Sequence, residues 1–303
     1  MDGFRARAGR ALVIGLPFLW LGIFFLLPFV IVFKISLSDP VTAQPPYTPT
    51  IQWWPHIQGW IDYFRALDFE NFELLLNDDL YWRSALSSVR IAAISTVLLL
   101  LVGYPVAYGM ARAAPGWRPI LVAMVILPFW TSFLIRVYAW IGILRTEGFL
   151  NQFLLWAGAI QQPLMILNTE TAVFIGIVYA YLPFMVLPLY ASLERLDETL
   201  IEAAQDLGSP PWKAFWTITL PLSMPGIVAG ALLCFIPIVG EFVVPDLLGG
   251  SETLMIGRTL WAEFFSNRDW PLASAVAIVL LVILVVPIVL YREIEARRWE
   301  TGR

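Results

Sequence analysis

The sequence contains one cysteine, Cys234, and one histidine, His56. A lone cysteine has no internal partner for a disulfide. Together the two residues fall short of the three or four ligands a zinc site takes, so no metal site is expected. Neither HExxH nor GxxxxGKS/T occurs, which leaves no zincin and no phosphate-binding ATPase loop in this chain. Charge is scarce: 14% of the 303 residues are charged, against about a quarter in a soluble domain. Lys34 and Lys213 are the two lysines, and no run of Lys or Arg offers a nucleic-acid surface. With 59% hydrophobic residues and a mean hydropathy of +0.75, the chain cannot cover itself for water, and a bilayer is its natural solvent.

What is present is apolar sequence in long runs. A helix needs about 20 mainly apolar residues to cross a bilayer. Six stretches qualify: Ala11–Phe33, Ile91–Met110, Ile120–Leu144, Thr171–Leu193, Ala214–Gly240 and Trp270–Tyr291. The third alone carries a charge, Arg136, placed at the outer boundary to snorkel or to pair with an acid. The first follows "RARAGR", but its apolar core is too long for a signal peptide and five more spans follow, so it is expected to be retained. A cytoplasmic N-terminus puts the larger share of basic residues inside: Arg5, Arg7, Arg10, Arg112, Arg118, Arg195, Lys213, Arg292, Arg297, Arg298 and Arg303. The expected fold is therefore an all-α integral membrane protein with six transmembrane helices and both termini cytoplasmic.

The outer loop Ser36–Trp82 is rich in Pro and Trp ("PPYTPTIQWWPHIQGW"). It reads either as a cap with Trp53, Trp54 and Trp60 at headgroup level or as a docking surface for an external partner. Gly148–Ile160 is too short to span and reads as an external interfacial helix. Pro17, Pro28, Pro105, Pro128, Pro183, Pro188, Pro225 and Pro237 fall within spans and predict kinks.

One polar island interrupts this chain: "IEAAQDLGSPPWKAFWTITLP", from Ile201 to Pro221. Asp197 is placed to cap a helix of about residues 197–208, with Leu200, Ala203, Ala204 and Leu207 on one apolar stripe. Gly208 suits the left-handed position that ends a helix. Ser209 is expected to cap a second helix with Pro210 at its first position. The bland reading is an amphipathic connector on the lipid surface. Against it, the stripe is narrow and partly Ala, and the polar face is acidic where membrane-surface helices usually carry Lys or Arg.

The island resembles the EAA motif of permease subunits of bacterial ABC importers: Glu-Ala-Ala, three residues, Gly, nine residues, then Ile-x-Leu-Pro. Glu202, Ala203, Ala204, Gly208, Ile218, Leu220 and Pro221 match at every spacing. "LPFWTSFLIRVYAWIGIL" and "GEFVVPDLLGGSETLMIGRTLWAEFFSNRDWPLASA" resemble the polyamine branch of that family, on the side of its putrescine permease subunit. The resemblance implies a type I importer permease fold. A first helix and external loop (1–83) would precede a five-helix permease core (84–293) and a cytoplasmic tail (294–303). It also implies a non-enzymatic subunit whose coupling helix docks on a cytoplasmic ATPase dimer. ATP and Mg would bind on that partner, and no cofactor on this chain. Further implied partners are a second homologous permease subunit, commonly in a heterodimer, and a periplasmic solute-binding protein.

For a cationic cargo, Glu241 is the first candidate, because an ionisable residue within or beside a span is costly and is a functional candidate by default. Asp246 follows five positions later. Carboxylates offer charge-assisted hydrogen bonds to ammonium groups, and Trp130, Tyr138, Trp140, Tyr179 and Tyr181 offer aromatic faces. The structural reading of Glu241 is a helix end paired with Arg136 or with the partner subunit; the aromatics equally suit packing. Two other functions remain open. One keeps the importer and changes the cargo to ferric iron or another small solute. The other is a proton-coupled transporter, which calls for a relay of buried acids or histidines that the spans lack. No clustered nucleophile, base or metal site supports a membrane-embedded enzyme.

Overall fold

The computed structural model describes the backbone of residues 13–50 and 57–300, and the side chains of these apart from 57, 58, 286–288 and 290–300. Trp53, Trp54 and His56 of the outer loop lie outside the described residues, as do Arg5, Arg7, Arg10 and Arg303 and the side chains of Arg292, Arg297 and Arg298. The chain is helical nearly throughout. In order come α1 (Val13–Ser36), a two-residue ladder of β1 (Asp39–Pro40) and β2 (Tyr47–Thr48), α2 (Ile57–Arg65), α3 (Glu70–Asn77) and α4 (Asp79–Arg112). Then follow α5 (Arg118–Trp130), α6 (Phe133–Leu144), α7 (Phe149–Trp156) and α8 (Glu170–Glu194). The rest comprises α9 (Thr199–Asp206), α10 (Pro211–Leu222), α11 (Met224–Val239), α12 (Val243–Leu248), α13 (Ile256–Trp261) and α14 (Trp270–Glu300).

Among the described residues, three helices, α1, α4 and α8, are long and apolar enough to cross a membrane, and up to five spans result if each of two bent pairs counts as one. Those pairs depart from the continuous spans expected for Ile120–Leu144 and Ala214–Gly240. The first bends by 89° between α5 and α6, at Thr131 and Ser132. The second bends by 62° between α10 and α11, at Ser223. Averaged hydropathy passes over these breaks, because Thr131, Ser132 and Ser223 are uncharged and sit within longer apolar runs.

The prolines expected to kink the spans behave differently from one another. Pro105, Pro183, Pro188 and Pro237 lie inside continuous helices. Pro28 follows a five-residue π turn, Gly22–Leu26; Pro221, which is outside the expected set, follows another, Phe215–Thr219. Proline lacks the amide of the normal ladder and its ring clashes with the carbonyl four residues back; a widened turn before it moves that carbonyl aside.

The chain forms two compact units, Met1–Trp82 with Thr259–Arg303, and Arg83–Arg258. In the first, α14 packs along the second half of α1 and on α3. Asn71 Nδ2 donates to the carbonyls of Ser36 (3.1 Å) and Ser38 (2.9 Å), tying α3 to the end of α1. The first turns of α1 are exposed on all sides and uniformly apolar, as suits lipid. In the second unit the principal contact is α8 against α11. Small residues allow it: a Cβ on Gly230 would meet Met185 Sδ at 2.9 Å, and one on Gly226 would meet Ser192 Cβ at 2.6 Å. Close backbone approach at small residues is how helices pack without a hydrophobic driving force between them. Cys234 is buried in this contact as an ordinary packing residue.

Candidate functional site

Two places in the second unit concentrate polar groups. One is α9 and the turn after it. Asp197 Oδ1 accepts from the Thr199 amide at 3.0 Å, and that bond holds the carboxyl below its ordinary range. At the other end Gly208 has φ +83°. Ser209 N donates to Ala204 O (2.9 Å) and Gly208 N to Gln205 O (2.8 Å), the paired bonds of a Schellman cap. The expected cap by Ser209 is not formed: Pro210 is the N-cap, Pro211 is the first helical residue, and no side chain closes that end. The helix starts one residue later than expected, which leaves Ser209 outside the N-cap position.

None of the eight residues of α9 is buried. Ile201 and Ala204 are half-buried, while Glu202, Ala203, Gln205 and Asp206 face out and Leu207 is 90% exposed. The predicted stripe of Leu200, Ala203, Ala204 and Leu207 is thus largely unpacked by this chain. The base of α9 is nevertheless tethered. Glu198 pairs with Arg112 at the end of α4, and Glu194 with Arg118 at the start of α5 (3.8 Å). Exposed pairs of this kind add about 0–1 kcal/mol each, so their contribution is to orientation. Beyond the turn, Ile218 and Leu220 are half-buried and Pro221 is exposed. Phe215 stands edge-on to Tyr104 (5.7 Å) and Tyr108 (6.0 Å), and the Tyr104 hydroxyl shares a 2.9 Å hydrogen bond with Ser223 at the α10–α11 break.

The other place is a cavity of about 880 Å³ bordered by α6, α8 and α11 and by the chain that leaves α11. Glu241 stands in the gap between α11 and α12 and is buried. Its Oε2 accepts from the Tyr181 hydroxyl, and its Oε1 from the amides of Val243 (3.0 Å) and Val244 (3.3 Å). The carboxylate thus closes the open start of α12 while facing the cavity. Phe129, Phe133, Tyr181, Phe184 and Phe242 supply an aromatic wall. Arg136 also lines it, with its guanidinium 5.5 Å from the Phe129 ring centre and 5.7 Å from that of Phe133. The expected pairing of Arg136 with an acid is not formed: among the described residues, its Nε and Nη1 have no hydrogen-bond partner, while Glu241 accepts from three other donors.

Of the sequence candidates, the structure brings Glu241 and Tyr181 together. Asp246 lies on α12 outside the cavity lining and pairs with Arg258 at 3.3 Å. Trp130 is 84% exposed and Tyr138 58% exposed, and neither lines the cavity. Trp140 and Tyr179 stack edge-on to each other at 5.4 Å. Sequence reasoning missed Phe129, Phe184 and Phe242; it did associate Arg136 with Glu241, and the structure has both lining the cavity without the expected pairing. A charge inside an apolar run was the available signal for Arg136.

Residues 11–299 match the family described as "Binding-protein-dependent transport system inner membrane component". The chain is 40% identical over 282 residues to the spermidine/putrescine transport system permease protein PotB of Haemophilus influenzae, covering 93% of this chain and 92% of that one. It is 45% identical over 222 residues to PotB of Escherichia coli strain K12, covering 73% and 80%. Among solved structures, a bacterial ABC transporter that imports the acidic polysaccharide alginate matches at TM-score 0.70 and 18% identity, over 98% of this chain and 97% of that one. The MetNI methionine ABC transporter in an inward-facing conformation matches at TM-score 0.50 and 18% identity, over 74% and 96%. These likenesses show the fold.

Proposed function

We propose a function from the premise that this chain belongs to the binding-protein-dependent transport system inner membrane component family. It is a multi-pass inner-membrane protein and a non-catalytic permease subunit of an ABC importer. Its cargo is a polyamine, putrescine or spermidine, handed over by a periplasmic binding protein and released in the cytoplasm. Six spans with both termini cytoplasmic, a second homologous permease subunit and a cytoplasmic ATPase dimer carrying ATP and Mg complete this reading.

The observation that carries it is α9. A helix held at its base, ended by a left-handed glycine and left largely unpacked on its Leu200–Leu207 face by the described residues suits a cleft on another protein. Glu202, Ala203, Ala204 and Gly208 are the contact residues, and Ile218, Leu220 and Pro221 join that contact to the α10–α11 break. ATP-driven closure of the partner would then reach the spans through α9. The polyamine assignment rests on the PotB relatives and is supported by the cavity, where a carboxylate and aromatic faces meet. Glu241 and Tyr181 belong to the route on this reading, with Asp246, Trp130 and Tyr138 as outlying candidates.

The test is reconstitution. The chain, its partner permease, the ATPase and the binding protein are placed in proteoliposomes, and ATP-driven uptake of labelled putrescine and spermidine is measured. Uptake that needs ATP and the binding protein supports the reading. Uptake driven by a proton gradient without ATP overturns it, and a binding protein that holds ferric iron or another solute instead replaces the cargo.

A further inference from the structure

The polar groups around the Glu241 cavity differ in one respect. Thr131 Oγ1 donates to the Pro128 carbonyl at 2.8 Å, Tyr181 donates to Glu241, and Glu241 accepts three bonds. Arg136 Nε and Nη1 are buried with no hydrogen-bond partner among the described residues. A buried charged donor without an acceptor is costly, and the cost persists only where another arrangement supplies the acceptor. The guanidinium lies against the faces of Phe129 and Phe133. That is the seat an organic ammonium would seek in this cavity, since ring faces attract cations and the attraction strengthens when water is excluded.

We propose that Arg136 is a tethered competitor of the cargo: it holds the Phe129–Phe133 seat in one step of transport and becomes the counter-ion of Glu241 in another, displacing a bound ammonium. The inference rests on the polyamine reading above and adds a specificity and release role to that site. The backbone permits the exchange. Arg136 is in the first turn of α6, directly after the Thr131–Ser132 break, and Glu241 follows Gly240 in the gap before α12. Both side chains line the same cavity, and each stands beside a break in its helix, where rotation would change the distance between them. Guanidinium suits the part because it is always charged, lies flat on rings and bonds carboxylates bidentately.

The experiment uses the whole reconstituted importer and measures ATP-driven putrescine uptake for the wild type, Arg136→Gln, Arg136→Lys, Glu241→Gln and the Arg136→Gln/Glu241→Gln double variant. A release role predicts that Arg136→Gln lowers both kcat and KM, kcat by about tenfold, because cargo is retained. Arg136→Lys should recover most of kcat. The double variant should be no slower than the slower single variant, since the two groups act on each other. A fall in kcat with KM unchanged, a Lys variant as slow as the Gln variant, or multiplying effects in the double variant overturns the proposal. Should Arg136→Gln fail to assemble, Arg136→Met takes its place in each comparison, with the same outcomes supporting or overturning the proposal. A wild-type importer that moves no polyamine overturns the cargo reading itself, and this inference falls with it.

Discussion

The phenolic hydroxyl of Tyr181 donates to Oε2 of Glu241, 60 residues further along the chain, and so joins the middle of α8 to the end of α11. Hydrogen bonds to charged groups are worth about 1.5–3 kcal/mol. Tyr181→Phe should therefore lower stability by about that much, read as a lower thermal midpoint in detergent. It should also change the KM for polyamine, because one carboxylate lone pair is freed toward the cavity. An unchanged midpoint would mean that the bond adds nothing.

Glu241→Gln keeps the shape of the side chain and an oxygen to accept from the Val243 and Val244 amides. Assembly should be intact and polyamine uptake reduced by about tenfold or more, the loss expected when a charge-assisted contact becomes a neutral one. Unaltered uptake kinetics would assign Glu241 to closing α12 alone.

Gly208 has φ +83°, and a Cβ there would meet nothing within 4 Å. A substitution thus acts through backbone strain, about 1–2 kcal/mol for an L-residue in the left-handed region, and not through a clash. Gly208→Val should leave membrane insertion intact while weakening ATPase association or cargo-stimulated hydrolysis. Glu202→Lys should do the same by reversing a surface charge. Normal coupled uptake in both variants would remove α9 from the coupling path.

Gly230 and Gly109 should respond in opposite ways. A Cβ on Gly230 meets Met185 Sδ at 2.9 Å and Met185 O at 3.1 Å, whereas one on Gly109 meets nothing within 4 Å. Gly230→Leu should cost about 1–3 kcal/mol through overpacking of α8 against α11. Gly109→Ala in α4 should be neutral or stabilising by about 0.5–1 kcal/mol. Thermal midpoints of the two purified variants settle the comparison, and equal shifts would contradict the packing described.

Asp269 gives a pH prediction. Burial raises its carboxyl above the ordinary value of 3.8, against the lowering effect of the Leu272 amide that bonds it at 3.0 Å, and nearby Glu263 raises it further. A raised acid favours the protonated form in the folded state. Its contribution is fully present below the ordinary value and is lost as pH rises through the folded one. Stability should therefore fall across the weakly acidic range, and Asp269→Asn should flatten that fall while still accepting from Leu272. An identical pH profile in the variant would refute the assignment.

The sequence by itself determined the solvent, the helical class and the place of the polar island. Long uncharged runs leave a chain nowhere to go but a bilayer, where backbone groups must bond within a helix. The end of α9 could be read because its cap is local to Gly208, whereas Glu198, not Asp197, is the N-cap of α9 and the next helix starts at Pro211, not Pro210. Only the tertiary structure decided where the spans break, which face of α9 stays unpacked and which groups share the cavity. The breaks at Thr131–Ser132 and Ser223 are single or paired uncharged polar residues inside long apolar runs, too brief to divide a span by average hydropathy. Arg136, Tyr181 and Glu241 are far apart in sequence, and their meeting depends on how α6, α8 and α11 pack. A hydropathy pattern shows that a helix is buried in lipid or protein, but not which neighbour each face receives, because in a membrane both environments are equally apolar.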